Sequence, residues 1–303
     1  MQAASELRAL VHVGLEEEAT ISLGTHYIHS KAVPLGQSGD LIHLTREDAG
    51  WEYMSFLVHR LPANAIWEER SDDQETALVL LGGRCWTDWG DGRRHIGERA
   101  HVFDGFPYAL YLPPGNTLRL EAETDCEFAV CSVPSNSRLE PRLITPKDVM
   151  VSLRGGGNAS RQIVDLLPPS FPADKLMLVE VYTPSGNWSS YPPHKHDVHN
   201  PPLEADLDEI YYYRIDHRAG YAYQRLYRRG SGKDVTLTVT DGDVVLVHDG
   251  YHPVVAGHGY NVYYLNCLAG SARSLANIED PDHTWVRSTW TNMDPRLPLV
   301  HHH

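Results

Sequence analysis

The chain has 303 residues and a formal net charge of −14 at pH 7. This excess of acidic side chains argues against a protein that binds the phosphate backbone of nucleic acids. No window approaches the run of about 18 apolar residues that a membrane-spanning helix needs, so we expect no membrane segment.

Four cysteines are scattered without a CxxC pair, and the N-terminus lacks the pattern of a signal peptide. Scattered single cysteines are typical of free thiols in a reducing compartment, so we expect a cytoplasmic protein. The length accommodates two domains of about 150 residues each.

Residues 1–45 show little regular pattern, and β-strand patterns begin near residue 52. Short apolar runs alternate with turn-forming Gly, Pro, Asp and Asn, as in a β-sandwich or barrel. Thr117–Glu121 alternates between apolar and polar residues, which indicates a half-buried strand. The predicted strands of the first half are 52–59, 64–68, 76–82, 99–103, 109–112, 116–121 and 126–132.

The segment 133–170 interrupts this pattern and contains the run Gly155–Gly157, flanked by Arg154 and Arg161. It lacks the spacing of a phosphate-binding loop. We interpret it as a flexible linker or crossover between domains, and a loop that closes over an active site is the alternative.

The second half repeats the β pattern, with predicted strands at 176–182, 209–216, 220–227, 234–240, 243–248 and 260–266. Helical periodicity is scarce throughout. The sequence therefore predicts an all-β protein with two tandem jelly-roll barrels, one in 1–150 and one in 151–300. His301–His303 resemble the end of a purification tag and are excluded from the site.

The sequence YPPHKHD at 191–197 holds two histidines two positions apart. Alternate residues of a strand share a face, so the imidazoles of His194 and His196 converge while Lys195 points away. Glu209 begins a later strand, and His252 lies in a turn. Three neutral imidazoles and one carboxylate suit a divalent metal.

Other residues compete for these positions. Glu204 is the main alternative to Glu209, which we prefer because Tyr211 and Tyr213 follow it on the same strand face. His199 is a further alternative ligand. His248 is an extra imidazole near the predicted turn. It either tunes the site or is a turn residue that has no effect on it.

Long stretches of the second half resemble the bacterial 5-deoxy-glucuronate isomerases of inositol catabolism, a family of bicupins. The stretches are GNWSSYPPHKHD (186–197), LDEIYYYRI (207–215), GYAYQRLY (220–227), DGDVVLVHDGYHPV (241–254) and GYNVYYLNCLAG (259–270). The resemblance implies two cupin barrels, of which only the C-terminal one keeps a metal site. Leu118 stands where a ligand histidine would fall in the first barrel, which we therefore expect to be degenerate.

The resemblance also implies an activity, the conversion of 5-deoxy-glucuronate to 5-dehydro-2-deoxy-gluconate in myo-inositol catabolism. Such an aldose–ketose isomerisation needs a divalent metal, for which zinc is expected and Mn, Fe or Ni would also be tolerated. Tyr251 and Tyr213 are the candidate acid/base groups. Whether the protein forms a homo-oligomer is left open.

The substrate of that family carries a carboxylate, which calls for a cation in the pocket. Arg225 is the predicted partner if its strand face looks inward, and Gln224 replaces it in the pocket if the face looks outward. Arg154 and Arg161 are the next candidates. Two other functions compete, an iron-dependent cupin dioxygenase and a non-catalytic sugar-binding cupin.

Overall fold

The computed structural model describes residues 26–302. The predicted all-β class is confirmed, because strands dominate and the helical segments are short. These segments are the helix α1 (Arg46–Ala49) and the 3-10 turns Gly157–Ala159 and Thr284–Thr289. No helix within the described residues is long and apolar enough to cross a membrane.

The strands of the first part of the chain form two antiparallel sheets, apart from β1. They are β1 (Tyr27–Ile28), β2 (Gly39–Leu44), β3 (Ser55–Leu61), β4 (Ile66–Arg70), β5 (Gln74–Gly82), β6 (Cys85–Asp88), β7 (Arg94–Ile96), β8 (Tyr108–Leu112), β9 (Thr117–Ala122), β10 (Cys126–Pro134) and β11 (Arg142–Ile144). One sheet has the order β11-β8-β5-β10-β3-β2 and the other β4-β9-β6-β7.

The strands of the second part also form two main sheets. They are β12 (Met150–Arg154), β13 (Arg161–Leu167), β14 (Met177–Thr183), β15 (Trp188–Ser189), β16 (His194–Lys195), β17 (Asp197–Asn200), β18 (Glu204–Ile215), β19 (Ala222–Tyr227), β20 (Asp234–Val239), β21 (Val244–Val247), β22 (Val254–Ala256), β23 (Val262–Gly270) and β24 (Ile278–Glu279). The large sheet has the order β1-β21-β18-β23-β14-β13-β12, with β17 added to β18. The smaller sheet is β15-β22-β19-β20, and β16 pairs with β24.

The two large sheets pack face to face, so their central strands are buried on both sides. In β18, Ile210 and Tyr212 join the core shared with the first part of the chain, while Tyr211 and Tyr213 face a separate core within the second part. This division follows from the two-residue period of a strand.

The sheet topology changes between β11 and β12, close to the domain boundary predicted at residue 150. Tyr27–Ile28 depart from the predicted range, since β1 pairs with β21 of the second part. The assignment of 1–150 and 151–300 to two domains stays an interpretation. Leu118, predicted in place of a ligand, is buried in the apolar interior between the first two sheets.

The strand predicted at 99–103 is wrong, because this segment forms bends and turns. The Asp104 carboxylate accepts a hydrogen bond from the Ala100 N–H at 2.9 Å, and such a local side-chain contact favours a turn over a ladder. The Arg99 side chain is buried and points toward the second part of the chain.

The flexible linker predicted around the glycine run is also wrong. Strands β12 and β13 form an antiparallel hairpin in which Arg154 lies opposite Arg161. Gly155 has φ +95°, and a Cβ there would collide with the Ala159 carbonyl oxygen. A Cβ on Gly156 would lie 2.6 Å from Cβ of Trp290. These glycines allow a tight turn that packs against the C-terminal segment.

Candidate metal centre and its cavity

Three different elements bring the candidate ligands together. His196 lies between β16, which pairs with β24, and β17, which pairs with β18. Glu209 lies in β18 and pairs with Val247 of β21. His252 lies in the short connection between β21 and β22, held by an isolated bridge between Tyr227 and Tyr251.

The ligand atoms of His196, Glu209 and His252 all lie within 4.8 Å of one another, and the three side chains are buried. Nε2 of His196 is 2.9 Å from Oε2 of Glu209, and Nε2 of His252 is 3.3 Å from the same oxygen. Within residues 26–302, this is the single group of His, Cys, Asp and Glu with such spacing.

Backbone carbonyls orient both imidazoles. Nδ1 of His196 contacts the Leu207 oxygen at 3.2 Å, and Nδ1 of His252 contacts the Gly250 oxygen at 2.9 Å. When each Nδ1–H donates to its carbonyl, the Nε2 lone pairs point at the shared centre, as in metal sites. Nε2 of His252 is buried without a hydrogen-bond partner. A buried polar atom of this kind is costly, and a bound cation would satisfy it.

His194 is beside this group and not within it. Its ring centroid is 4.9 Å from that of His252 and 6.3 Å from that of His196. Its Nδ1 contacts the Pro192 oxygen at 3.2 Å, so its Nε2 is the nitrogen available to a metal. Its role as the fourth ligand stays a prediction.

Burial favours the neutral imidazole form that metal binding requires. Burial lowers the pKa of His252 well below its ordinary value, and the nearby imidazoles lower it further. Burial and the charge of His196 lower the pKa of His194 to about 4. For His196, burial lowers the pKa, but the hydrogen bond and charge of Glu209 outweigh it and raise the pKa overall.

The competing residues are engaged elsewhere. Glu204 is 2.7 Å from Nζ of Lys195, which also pairs with Asp197. His199 is exposed and contacts Ser271 at 2.8 Å. The His248 ring packs against His26 and Trp51, with centroids 5.1 and 5.2 Å away.

A cavity of about 440 Å³ opens beside this group and is lined by two of its members, His196 and Glu209. Residues of β13, β14, β18, β23 and the C-terminal segment form its walls. The residues that line it include Arg154, Arg161, Ile163, Val179, Val181, Ser190, His194, His196, Glu209, Tyr211, Tyr264, Leu268, Glu279, Arg287 and Trp290.

Arg225 does not line this cavity, so its predicted position in the pocket is wrong. It lies on the outward face of β19, where its guanidinium makes two hydrogen bonds to Asp234 at 2.7 and 2.8 Å and stacks over Tyr227. Gln224 faces inward, but it does not line this cavity either, so the alternative that placed it in the pocket is also wrong. Gln224 is fully buried and accepts a hydrogen bond from the Tyr213 hydroxyl at 2.8 Å.

Tyr213 and Tyr251, the predicted acid/base groups, are not among the lining residues either. Tyr213 is enclosed in the barrel core, where burial raises its pKa well above the ordinary value. Tyr251 stacks on Tyr227 with ring centroids 5.1 Å apart. The structure therefore does not support a direct contact of either hydroxyl with a substrate in the cavity.

A chain of hydroxyls that was not predicted from the sequence reaches the cavity. Ser190 Oγ is 2.9 Å from the Tyr211 hydroxyl and 3.2 Å from the Tyr264 hydroxyl. Tyr211 follows Glu209 on the same strand face, which is a signal that the two-residue period provides. Ser190 gives no such signal, because only the folded chain brings it to Tyr264.

The fold and the site together define a cupin-type β-barrel protein with a buried cluster of histidine and glutamate. The chain belongs to the KduI/IolB family, which it matches over residues 28–286.

Curated relatives are similar to this chain over most of its length. The 5-deoxy-glucuronate isomerase of Geobacillus thermodenitrificans is 46% identical over 82% of this chain and 92% of its own length. The protein of the same name from Bacillus subtilis strain 168 is 38% identical over 81% of this chain and 92% of its own length.

One solved structure agrees with this assignment, and a more distant one shares the fold. An IolB-like protein from Salmonella typhimurium LT2 superimposes with a TM-score of 0.83 at 38% identity, covering 86% of this chain and 98% of that one. A Bacillus subtilis oxalate decarboxylase variant reaches a TM-score of 0.57 at 14% identity, covering 87% of this chain and 83% of that one. The second likeness shows a shared fold alone.

Proposed function

We propose that this protein is a metal-dependent isomerase that converts 5-deoxy-glucuronate, an aldose, to the 2-keto isomer in inositol catabolism. The observation that carries the proposal is the buried group His196, Glu209 and His252 at the cavity, in a chain that matches isomerases over most of its length.

His196, Glu209 and His252 would hold the metal, and His194, which lines the same cavity, is the proposed fourth ligand. Zinc is expected, and Mn, Fe or Ni also suit three imidazoles and a carboxylate. When bound, a divalent cation polarises the substrate carbonyl and stabilises the negative charge that develops on the two oxygens during enolisation.

The hydroxyl chain of Ser190, Tyr211 and Tyr264 is placed to hold and deliver protons at this end of the cavity. Burial raises the pKa of Tyr211 well above its ordinary value, so the hydroxyl keeps its proton at neutral pH. It therefore acts as a hydrogen-bond donor toward developing oxygen charge rather than as a base.

Apolar side chains form the cavity wall next to these hydroxyls. Val179, Val181 and Leu268 line it from the strands of the large sheet. A wall of this kind limits water around the substrate and strengthens each hydrogen bond to the reacting oxygens.

The test is to incubate metal-loaded protein with 5-deoxy-glucuronate in D2O and follow the products by NMR. We expect the aldehyde signal to be replaced by those of a ketone and an adjacent hydroxymethyl group. Oxygen consumption with iron and no ketose would favour a dioxygenase, and binding without conversion would favour a sugar-binding protein.

A further inference from the structure

We propose that Arg161, assisted by Arg154, binds the carboxylate of the substrate and so fixes which end of the sugar acid faces the metal-binding group. This inference rests on the proposed function for the identity of the substrate. Its physical basis is independent, because it follows from two arginines that the β12–β13 hairpin places in the cavity.

Arg161 is a half-buried cation without a carboxylate partner. Within the described residues its one hydrogen bond is from Nη1 to the Ala159 carbonyl oxygen at 3.2 Å. Its Nε is buried and has no partner. Since a guanidinium presents several donors in a planar fork, this arrangement leaves donors for an anionic ligand.

The other arginines contrast with Arg161. Arg287, which also lines the cavity, is already paired with Glu279, with Nε 3.1 Å from both carboxylate oxygens. Arg154 lies opposite Arg161 in the hairpin and is exposed. No carboxylate of the described chain lies within ion-pair distance of Arg154 or Arg161, so two like charges face each other across the hairpin. An anion between them would relieve that repulsion.

The strand register places Arg161 and Glu209 at different ends of the cavity. Ile163, Val181 and Tyr264 form one cross-strand row, and Tyr213 continues it in β18. Arg161 is two residues before Ile163 in β13, and Glu209 is four residues before Tyr213 in β18, so each shares a strand face with its reference residue. Because β13 and β18 run in opposite directions, Arg161 and Glu209 lie on opposite sides of this row.

His194 lines the same cavity as Arg161, and its ring centroid is 4.9 Å from that of His252. A sugar acid held by its carboxylate at Arg161 would therefore direct its aldehyde end toward the metal-binding group. The site should select aldoses that carry a terminal carboxylate over neutral aldoses of the same length.

A binding experiment tests this without turnover. D-glucuronate and D-glucose differ at C6, where one has a carboxylate and the other a hydroxymethyl group. We expect calorimetry on metal-loaded, tag-free protein to show glucuronate binding at least 10-fold tighter than glucose. Arg161→Gln should remove most of this preference, and Arg154→Gln should reduce it less because its side chain is more exposed to water.

The matched control is Arg225→Gln, which removes an arginine that is outside the cavity and paired with Asp234. It should leave the preference unchanged. Metal content is measured for every variant. Equal binding of both sugars by the wild type, or an unchanged preference in a folded Arg161→Gln variant, would overturn the proposal. If Arg161→Gln does not fold, the wild-type comparison and Arg154→Gln decide the question.

Turnover separates this inference from the proposed function. With 5-deoxy-glucuronate, Arg161→Gln should lower kcat/KM by roughly 10- to 100-fold, mainly through KM, because the carboxylate is held equally before and during the reaction. A wild type that prefers glucuronate but does not isomerise would refute the proposed function and leave the carboxylate site standing. If the wild type is active and Arg161→Gln leaves kcat/KM unchanged, the carboxylate site is refuted and the proposed function stands.

Discussion

At the scale of single residues, His196 connects the group of proposed metal ligands to the polypeptide backbone. It contacts Glu209 through Nε2 and the Leu207 carbonyl through Nδ1. Replacing it with alanine removes one ligand and leaves Glu209 without this partner. We expect His196→Ala to lose nearly all bound metal and all turnover.

Elemental analysis and the NMR assay check this expectation. The control is His199→Ala, because His199 is three residues further along, is exposed and contacts Ser271 instead. His199→Ala should keep its metal and activity. Stoichiometric metal in purified His196→Ala would refute the assignment of this ligand.

Tyr211 provides a second test at the residue scale. Tyr211→Phe removes the hydroxyl that contacts Ser190 and keeps the aromatic ring that packs against Tyr264. We expect kcat to fall roughly 10- to 1,000-fold, the range for one lost proton-donating or oxyanion-stabilising group, with unchanged metal content. Tyr223→Phe, which changes an exposed tyrosine, should have no effect. Equal rates for Tyr211→Phe and wild type would exclude the hydroxyl from the reaction.

That His196, Glu209 and His252 lie together could be predicted, because their signals are local or carried by a long sequence resemblance. The two-residue spacing of His194 and His196 follows from strand geometry alone. Arg225 was misplaced because alternation shows which residues share a face and not which face looks inward. Its pairing with Asp234 across β19 and β20 settles the direction.

At the scale of elements, the β12–β13 hairpin depends on its glycines. A Cβ at Gly155 would collide with the Ala159 carbonyl oxygen and lie 3.1 Å from Nη1 of Arg161. Gly155→Ala should therefore destabilise the fold by about 2–4 kcal/mol, through both the left-handed backbone and the collision. It should also weaken glucuronate binding by displacing Arg161.

Gly230→Ala is the matched control for this substitution. Gly230 also has a positive φ, +73°, but a Cβ there would meet no atom within 4 Å. Its cost should be limited to the backbone preference, about 1–2 kcal/mol. Denaturant unfolding compares the two variants, and equal losses of stability would show that the hairpin is not sterically constrained.

The central strands were the most predictable elements, and the hairpin was the least. Strands such as β5, β14 and β23 contain the apolar runs that burial on both faces requires. The hairpin contains a glycine run that resembles a linker, and the reason for Gly156 is Trp290, which lies far along the sequence. A contact of this range leaves no mark on the local pattern.

At the scale of the whole molecule, a buried ion pair joins the two parts of the chain. Arg99 of the first part donates to both carboxylate oxygens of Glu180 in β14, at 2.7 and 3.2 Å. Tyr182 and Tyr263 also donate to this carboxylate, at 2.8 and 2.9 Å. The interface between the large sheets therefore contains a polar network within an apolar core.

Arg99→Met should destabilise the protein by about 3–5 kcal/mol, because it leaves the Glu180 carboxylate buried without its cation. The double variant Arg99→Met/Glu180→Leu removes both charges and should recover much of that loss. Denaturant unfolding of the single and double variants measures this. A double variant less stable than Arg99→Met alone would contradict the interpretation.

The sequence indicated two successive β-rich parts because turn residues recur at short intervals in both. It did not indicate that the large sheets of the two parts share a core, or that Tyr27–Ile28 cross over to β21. Both features depend on contacts between distant segments, which the local hydrophobic pattern does not encode.

The most direct test of the central claim is turnover measured against bound metal. Tag-free protein is stripped with a chelator, metal is returned in steps, and 5-deoxy-glucuronate isomerisation is measured at each step. We expect no turnover without metal and a linear rise that ends at about one metal per chain, since the described part of the first half contains no comparable ligand group. Full activity of the metal-free protein, or a rise that continues to two metals per chain, would contradict this account.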